Sequence, residues 1–492
     1  MMNQQNGNKG YLYGIVLVAV LGGLLFGYDT AVISGAEKGL QAYFLGASDF
    51  QYTDFIHGLT CSSALIGCVI GALISGWLAN RLGRKQTLFV AGILFFVSAL
   101  GSAHPEFPFH QHSTATMTIL NSFNYYRIIG GMGVGLASAI CPMYIGEIAP
   151  TGKRGQLVSW NQFAIIFGQL VVYFVNFLIL GSHENPVIVS IGKGISQVMP
   201  ESDPWTIAVC WRYMFASEAI IAAIFTILIC FVPESPRYLV MAGKDDKALG
   251  VLSRINGLEQ AKVILADIKS TIKVKTEKLF TYGWLVIFIG IMLSVFQQVV
   301  GINAVLYYAP RIFGDMGMTN PMFNTVMMGV VNILFTLVAI FTVEKWGRKP
   351  LLITGSIGMA IGAFGVASTF GVEGLQLITM ISILLYSASF MFSWGPICWV
   401  LISEIFPNTV RGTATAIAVA AQWIFNFVVS STFVPMFNMH LTTGDNFGHW
   451  FTYGLYGVMC IVAAIFVWRL VPETKGKSLE DMTRFWKVKS KK

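Results

Sequence analysis

Long apolar blocks recur along the whole chain and are separated by polar stretches. We find twelve such blocks, and a helix of about 20 apolar residues crosses the hydrocarbon core of a bilayer. A globular domain does not bury twelve segments of this kind, so the pattern predicts an all-α membrane protein with twelve transmembrane helices. The predicted spans are approximately 11–35, 57–79, 87–103, 121–145, 157–180, 211–232, 282–309, 322–343, 350–370, 375–402, 413–437 and 449–471.

The charge balance agrees with a membrane protein. Charged residues make up 11% of the 492 residues and hydrophobic residues 55%, whereas a soluble domain carries about 25% charged residues. Of the 32 Lys and Arg residues, 27 lie in the N-terminus, in the loops from an even-numbered span to the next odd-numbered one, or in the tail and the adjoining end of the last span. Because Lys and Arg concentrate on the cytoplasmic side, both termini are predicted to be cytoplasmic. The net charge of +8 reflects this bias and a basic tail, so we infer no nucleic-acid partner.

The longest predicted inner loop separates the spans into two sets of six. We divide the chain into a six-helix half over 1–232, a cytoplasmic linker over 233–280, a second six-helix half over 281–471 and a cytoplasmic tail over 472–492. Apolar residues at helical spacing within the linker predict short amphipathic helices on the membrane surface.

The two halves also repeat in sequence. Three pairs of motifs occur in the same order: NRLGRK (80–85) with EKWGRK (344–349), GE (146–147) with SE (403–404), and PESPR (233–237) with PETKG (472–476). Parallel repeats of this kind predict a substrate site between the halves, near the middle of the bilayer.

Asp29 is a lone carboxylate within the first predicted span. A charge at that depth costs several kcal/mol, so it usually faces a cavity and serves a function. Arg127 at the start of the fourth span is the natural partner, and Glu218 in the sixth span is a second buried acid. If Asp29 moves toward and away from Arg127, its proton affinity changes between states, as proton coupling requires. The alternative is a static ion pair that fixes the first helix to the fourth.

Amides within the apolar spans form a candidate site for a polyol. Planar amides hydrogen-bond hydroxyl groups, aromatic faces pack against a sugar ring, and unpaired amides are costly in a membrane, so a cluster of them is informative. The candidates are Gln162 and Gln169 on one helix face, Gln297, Gln298 and Asn303 in the seventh span, Trp399 in the tenth, and Gln422 with Trp423 in the eleventh.

Three further positions could line or gate this site. Asn332 is a single amide in the eighth span, and such an amide either lines a site or joins two helices. Gly301 and the Gly395–Pro396 pair are predicted bending points, since Gly tolerates unusual dihedrals and Pro lacks an N–H. Ordinary helix packing is the alternative for both.

Acidic and basic residues recur together at the predicted inner ends of the helices. The sets are Arg84, Glu147 and Arg154 in the first half, and Arg348, Glu404 and Arg411 in the second. Ion pairs among them would latch helix ends together when the inner side is closed and release them when it opens. The alternative is that the basic residues anchor the loops at lipid headgroups.

Seven motifs are specific enough to indicate a family: GGLLFGYDTAVISG (22–35), NRLGRK (80–85), YIGEIAPTGKRG (144–155), PESPRYL (233–239), FQQVVGINAVLYYAP (296–310), SWGPICWVLISEIFPNTVRG (393–412) and VPETKGKSLED (471–481). By these motifs the chain resembles the sugar-porter family of the major facilitator superfamily over essentially its whole length. One departure is Asn80, where the family often has Asp. The resemblance implies the major facilitator fold and transport of a monosaccharide by alternating access.

The resemblance also implies roles for residues. It assigns sugar contact to all eight candidate amide and Trp positions above, and it adds Phe26 and Tyr307 as aromatic residues that line or gate the site. Proton symporters of the family carry an acid where this chain has Asp29, whereas passive glucose transporters tend to carry Asn. We therefore expect proton-coupled uptake of a monosaccharide, D-xylose first, by a monomer in the cell inner membrane. The alternatives are a hexose–proton symporter for glucose or galactose, a passive facilitator and a sugar sensor.

Enzymatic chemistry has no support in the sequence. It contains no nucleophile–base set, no metal-ligand spacing and no phosphate-binding loop, so we expect a protein that is not an enzyme and needs no cofactor. All seven histidines fall in outer loops or at outer span ends. His110 and His112, with His104 nearby, could bind a metal, although a solvated loop is the favoured interpretation.

Overall fold

A computed structural model describes residues 7–107, 115–150, 153–192, 194–272, 279–407, 409–440, 446–476 and 479–489. Within these ranges twelve helices are long and apolar enough to cross a membrane, which confirms the twelve predicted spans. The first six spans are α1 (Lys9–Leu45), α2 (Asp54–Leu82), α3 (Arg84–Ala103), α4 (Met117–Ile148), α5 (Arg154–Leu180) and α6 (Trp211–Ile229), the last continuing a π-helical turn over Thr206–Cys210.

The second six spans follow a group of short helices. These are α7 (Pro236–Met241), α8 (Asp245–Asn256) and α9 (Leu258–Ile272). The spans are then α10 (Trp284–Val299) with α11 (Ile302–Tyr307), α13 (Pro321–Trp346), α14 (Arg348–Thr369), α15 (Gln376–Phe392) with α16 (Trp394–Ile405), α17 (Arg411–Phe437) and α18 (Phe447–Leu470). A short helix, α12 (Ala309–Asp315), follows α11, and α19 (Leu479–Lys489) lies in the tail.

The two ends of the bundle differ. One end, the linker face, carries α7–α9, α19 and the turns after α2 and α13. The other end, the distal face, carries the α1–α2 junction and a hairpin of β1 (Ile188–Gly192) and β2 (Ile195–Val198), which pair antiparallel with Val189 opposite Gln197. The two halves meet where α2 packs on α17, α5 on α13, and α1 on α11 and α12.

Glycines allow the helices of the first half to approach closely. A methyl group on Gly71 of α2 would collide with the backbone of Met132 in α4, and one on Gly131 of α4 would collide with the backbone of Ala64 in α2. Small residues permit such contact in membranes. The glycine run over 131–135 therefore serves helix packing.

Two of the spans in the second half are broken. Gly301, at φ +89°, adopts the left-handed conformation between α10 and α11. The tenth span breaks at Ser393 (φ −130°, ψ −87°), three residues before Pro396. Pro396 has no N–H to donate to the carbonyl four residues earlier, at Phe392, where α15 ends. The interruption therefore precedes the predicted bending point, and Pro396 itself lies in the first turn of α16.

Candidate functional site

A buried ion pair joins α1 to α4. Arg127 Nη1 donates to Asp29 Oδ1 at 2.6 Å, and Arg127 Nη2 donates to the Asp29 carbonyl oxygen at 3.1 Å. Both side chains are at most 1% exposed, and the guanidinium lies 5.1 Å from the ring centroid of Phe215. Asp29 Oδ2 has no hydrogen-bond partner among the described residues. One carboxylate oxygen is therefore held by Arg127, while the other accepts no hydrogen bond within the described ranges.

Glu218 on α6 is the second acid in this region. Its side chain is fully buried and it interacts electrostatically with both Asp29 and Arg127. Neither carboxylate oxygen accepts a hydrogen bond from a donor within the described ranges, but the carboxyl group lies within hydrogen-bonding reach of the Asp29 side chain. The structure thus brings all three residues of the predicted coupling group together, with two acids around one base.

Three amides form a chain at the break in the seventh span. Asn303 Nδ2 donates to Gln298 Oε1 at 2.6 Å, and Gln298 Nε2 donates to Gln297 Oε1 at 3.3 Å. Gln297 Nε2 donates to the carbonyl oxygen of Trp394 at 3.0 Å, beside the break in the tenth span. The left-handed Gly301 interrupts the helix between α10 and α11, and Asn303 of α11 reaches Gln298 of α10 across this break. This chain of hydrogen bonds orients the three amide side chains.

Other polar groups of the predicted site have unused hydrogen-bonding capacity. Gln169 Oε1, Gln422 Oε1 and Trp423 Nε1 are buried and have no partner in the described part of the chain. Buried polar atoms are normally paired, and an exception calls for a ligand, an ion or water. Gln162 and Trp399 are partly exposed. These groups are suited to hydrogen-bond a polyhydroxylated ligand.

An aromatic contact spans the two halves beside these amides. The Phe26 ring of α1 lies 5.5 Å from the Trp423 ring of α17. Phe26 precedes Asp29 by three residues, which places them on the same helix face. Tyr307, buried at the end of α11, accepts a hydrogen bond from Asn426 Nδ2 at 3.4 Å. Phe26, which contacts the second half, therefore lies one helical turn from Asp29, which contacts α4 within the first half.

Asn332, which the sequence analysis listed as a residue that could line the site, makes its contact within the second half. Its Oδ1 accepts a hydrogen bond from Ser387 Oγ at 2.6 Å, which joins α13 to α15 within the second half. This contact is of the helix-joining kind that the sequence left open as the alternative.

The charged residues at the linker face form two matching clusters. In the first half, Arg84 donates to both oxygens of Glu147 at 2.9 and 2.8 Å, and Ser235 also donates to Glu147. Glu234 accepts hydrogen bonds from the backbone N–H groups of Arg84 and Lys85.

The second half repeats this pattern. Arg348 donates to both oxygens of Glu404 at 3.2 and 2.8 Å, and Thr474 donates to Glu404 at 2.6 Å. Glu473 accepts from the backbone N–H groups of Arg348 and Lys349. Each pair thus joins helices of one half. The repeated PES and PET motifs signalled these partners, although their contacts were not predicted.

The two clusters differ in their electrostatics. Burial raises the pKa of Glu234 above its ordinary value. Burial raises the pKa of the Glu473 carboxyl as well. Hydrogen bonds from the backbone N–H groups of Lys475, Lys349 and Arg348 lower it by more, so the pKa lies below its ordinary value. The predicted latch residues Arg154 and Arg411 lie outside the bidentate pairs: Arg154 is exposed, and Arg411 Nη2 donates to the carbonyl oxygen of Phe406 at 3.3 Å.

A second buried ion pair, which the sequence analysis missed, lies at the distal face. Arg311 of α12 donates to both oxygens of Glu37 of α1, at 3.0 and 2.7 Å, and His57 Nε2 lies 3.0 Å from Glu37 Oε2. His57 was expected in an outer loop or at an outer span end, like the other histidines, yet it is 0% exposed and Arg311 beside it is 4% exposed. A signal was present, because Glu37 follows Asp29 by eight residues and so lies near the same helix face.

No metal site emerges from the described ranges, in which no group of three or more His, Cys, Asp and Glu side chains is placed to hold an ion. His110 and His112 lie outside those ranges.

A membrane protein with twelve described spans, a buried acid–base group within its first half and unpaired amides in both halves has the architecture of a transporter for a polar solute. The chain belongs to the sugar transporter family, since the family model described as "Sugar (and other) transporter" matches residues 15–486. This confirms the resemblance to the sugar porters and the major facilitator fold.

Relatives with assigned functions are similar over their full length. The chain is 46% identical to the D-xylose-proton symporter of Escherichia coli (strain K12), over 100% of this chain and 99% of that protein. It is 38% identical to the arabinose-proton symporter of Bacillus subtilis, over 97% and 96%, and 36% identical to the glucose facilitated diffusion protein of Zymomonas mobilis, over 98% of each.

Solved structures show the same fold. The xylose transporter of E. coli in an inward-open conformation superposes with a TM-score of 0.82 at 45% identity, covering 96% of this chain and 100% of that one. The structure of the proton:xylose symporter bound to 6-bromo-6-deoxy-D-glucose superposes with a TM-score of 0.78 at 45% identity, covering 97% and 100%. The family and these relatives are transporters rather than enzymes.

Proposed function

We propose that this chain is a proton-coupled symporter that carries a monosaccharide, D-xylose first, into the cell across the inner membrane. The observation that carries the proposal is the half-satisfied carboxylate of Asp29, which holds Arg127 through one oxygen while the other oxygen is unpaired. A proton on Asp29 would weaken its attraction to Arg127, so protonation and the position of α1 are linked. Glu218 lies within reach of the same pair and is the candidate second acid.

The sugar would bind between the halves, against the aromatic pair Phe26 and Trp423. Gln169 and Gln422 offer unpaired oxygens from opposite halves, and Gln297, Gln298 and Asn303 are oriented by their hydrogen-bonded chain. Gln162 and Trp399 complete this proposed set, with Tyr307 at its edge. Because Phe26 and Asp29 share a face of α1, movement of that helix on sugar binding would also move the proton site.

In alternating access, the ion-pair clusters and the broken helices would have different roles. The sequence analysis expected the ion pairs at the linker face to release when the inner side opens. Because each pair joins helices of one half, we propose instead that they keep each half rigid as it rocks. The glycine break at Gly301 and the break at Ser393 before Pro396 would let α11 and α16 bend over the sugar. In this proposal the linker face is cytoplasmic, with the half boundaries at 1–232 and 281–471 around the linker and the tail over 472–492.

The identity of the sugar is inferred from similarity to the relatives. A hexose–proton symporter would use the same site chemistry, and the relatives include transporters of arabinose and glucose. A passive facilitator is the alternative in mechanism, in which Asp29 and Arg127 form a permanent structural pair. The Z. mobilis relative, a facilitated diffusion protein by name, keeps this alternative open to test.

One experiment separates these functions. D-xylose is added to lightly buffered, de-energised cells that express the chain, and external pH is recorded together with sugar exchange. We expect alkalinisation in the wild type, and in Asp29→Asn we expect the pH signal to be lost while exchange persists. Asp246→Asn, which alters an exposed linker carboxylate, is the matched control and should behave as the wild type. Uptake without a pH change would establish a facilitator, and a pH response to glucose or galactose alone would overturn D-xylose.

A further inference from the structure

The bidentate ion pairs described at the two ends of the bundle are of two kinds. Those at the linker face join helices of the same half, whereas Glu37 and Arg311 at the distal face belong to opposite halves. Glu37 lies on α1 and Arg311 on α12, and both are at most 5% exposed as side chains. Rocking of the halves leaves the first kind intact but must separate the second kind whenever the distal face opens.

The Glu37–Arg311 pair is held on both sides by further polar groups. Arg311 also donates to Gln41, whose Nε2 donates to Asp54 Oδ1 at 3.3 Å. Asp54 Oδ2 accepts from Asn438 Nδ2 of the second half at 2.9 Å. A continuous network of hydrogen bonds thus crosses between the halves through two separate connections.

His57 fixes the orientation of the carboxylate. Its Nε2 lies 3.0 Å from Glu37 Oε2, and its Nδ1 lies 3.1 Å from the hydroxyl of Tyr52. A neutral ring satisfies both contacts by donating from Nε2 to Glu37 and accepting from Tyr52. The titratable and charged groups around this ring are Glu37, Tyr52, Asp54, Cys61, Tyr308 and Arg311. His57 therefore acts through Glu37, as a positioning residue.

We propose that Glu37 and Arg311 form a latch that holds the distal face closed and that must break each time this side opens to admit sugar. Breaking a buried ion pair is costly unless water replaces each partner. Opening the distal face supplies that water, so the latch biases the protein toward the closed distal side without preventing its opening. The proposal depends on the proposed function only in taking the distal face as the outer face.

The chain carries its own reporter for this latch. Cys61 Sγ lies 3.6 Å from His57 Nε2, is buried, and interacts with Tyr308 of the second half. Its thiol therefore lies behind the latch and between the halves. Cys398, in contrast, is buried within the second half, where its Sγ donates to the carbonyl oxygen of Leu293.

The test measures how fast a membrane-impermeant methanethiosulfonate reagent modifies Cys61 in intact cells, in full-length protein whose other cysteines are replaced. Glu37→Gln and Arg311→Gln should each raise the rate by about tenfold or more, as expected when a buried pair is broken. His57→Leu should raise it too, whereas His57→Gln, which can make both hydrogen bonds, should restore the wild-type rate. Glu106→Gln is the matched control, because it breaks an ion pair, with Arg212, that lies within the first half, and it should leave the rate unchanged.

Two comparisons distinguish opening of the latch from unfolding of the protein and from the opposite orientation in the membrane. A second version of the protein keeps only Cys398, and its thiol should stay unmodified in every variant; modification there equal to that of Cys61 would mean unfolding and would overturn the latch. Unchanged Cys61 rates in both Glu37→Gln and Arg311→Gln would also overturn it. A rise seen only in inside-out vesicles would support the latch and would overturn the cytoplasmic position of the linker face. None of these readouts requires transport, so a protein that fails the pH experiment still tests the latch.

Discussion

Arg127 contacts Asp29 twice, once at the carboxylate and once at the backbone carbonyl, and so fixes both the charge and the position of α1 at this residue. The two contacts respond differently to the charge of Asp29. The carboxylate contact depends on the charge of Asp29, whereas the backbone contact persists in any variant at position 29. Protonation would therefore loosen α1 from α4 without detaching it.

This geometry predicts a non-additive effect on stability. Arg127→Gln leaves the Asp29 carboxylate buried without its donor and should lower the free energy of unfolding by about 3–5 kcal/mol. In an Asp29→Asn background the same change should cost much less, since no charge is stranded there. Thermal unfolding in detergent is compared for the wild type, the two single variants and the double variant. Losses of stability that simply add in the double variant would contradict a direct charge interaction between Asp29 and Arg127.

The amides should fall into two functional groups. Gln422→Ala removes a group whose Oε1 bonds nothing in the described structure, so we expect KM for sugar to rise about tenfold with little change in stability. Asn332→Ala strands the hydroxyl of Ser387 and should reduce stability by about 1–3 kcal/mol, with KM unchanged. Transport kinetics and thermal unfolding of both variants provide the comparison. A large rise in KM for Asn332→Ala would place that residue in the sugar site instead.

The two linker-face clusters should differ in strength despite their matching geometry. The Glu147 side chain is 10% exposed and that of Glu404 is 27% exposed. Arg84→Gln should therefore approach the roughly 3–5 kcal/mol cost of breaking a buried pair, while Arg348→Gln should cost less because water screens Glu404. Unfolding temperatures of the two variants measure the order, and the reverse order would mean that burial does not set the strength of these pairs.

Gly301 should resist substitution for two reasons. Its left-handed backbone costs a residue with a side chain about 1–2 kcal/mol, and an added methyl group would collide with the ring of Tyr456. We expect Gly301→Ala to lower the unfolding temperature and the transport rate together. Gly454→Ala on α18 is the control, because a methyl group there meets nothing within 4 Å. Equal behaviour of the two variants would remove Gly301 as a required break.

Much of the architecture was predictable because its signals are local. The length and apolarity of each span follow from the bilayer, so all twelve helices were predicted close to their observed positions. Asp29 and the amides were conspicuous because polar groups are rare at such positions, and the repeated motifs marked the linker-face clusters before their partners were known.

What only the tertiary structure decided is how side chains from separate helices meet. Gln298 could not be known to bridge Gln297 and Asn303 until the break at Gly301 brought α10 and α11 together. The sequence by itself determined which residues are polar within the membrane and on which face of their own helix they lie, because helical spacing is a property of the chain alone. Whether a span-end residue such as His57 is solvated or buried depends on Glu37 of the neighbouring helix and on Arg311 of the other half, so it was set by how the helices pack.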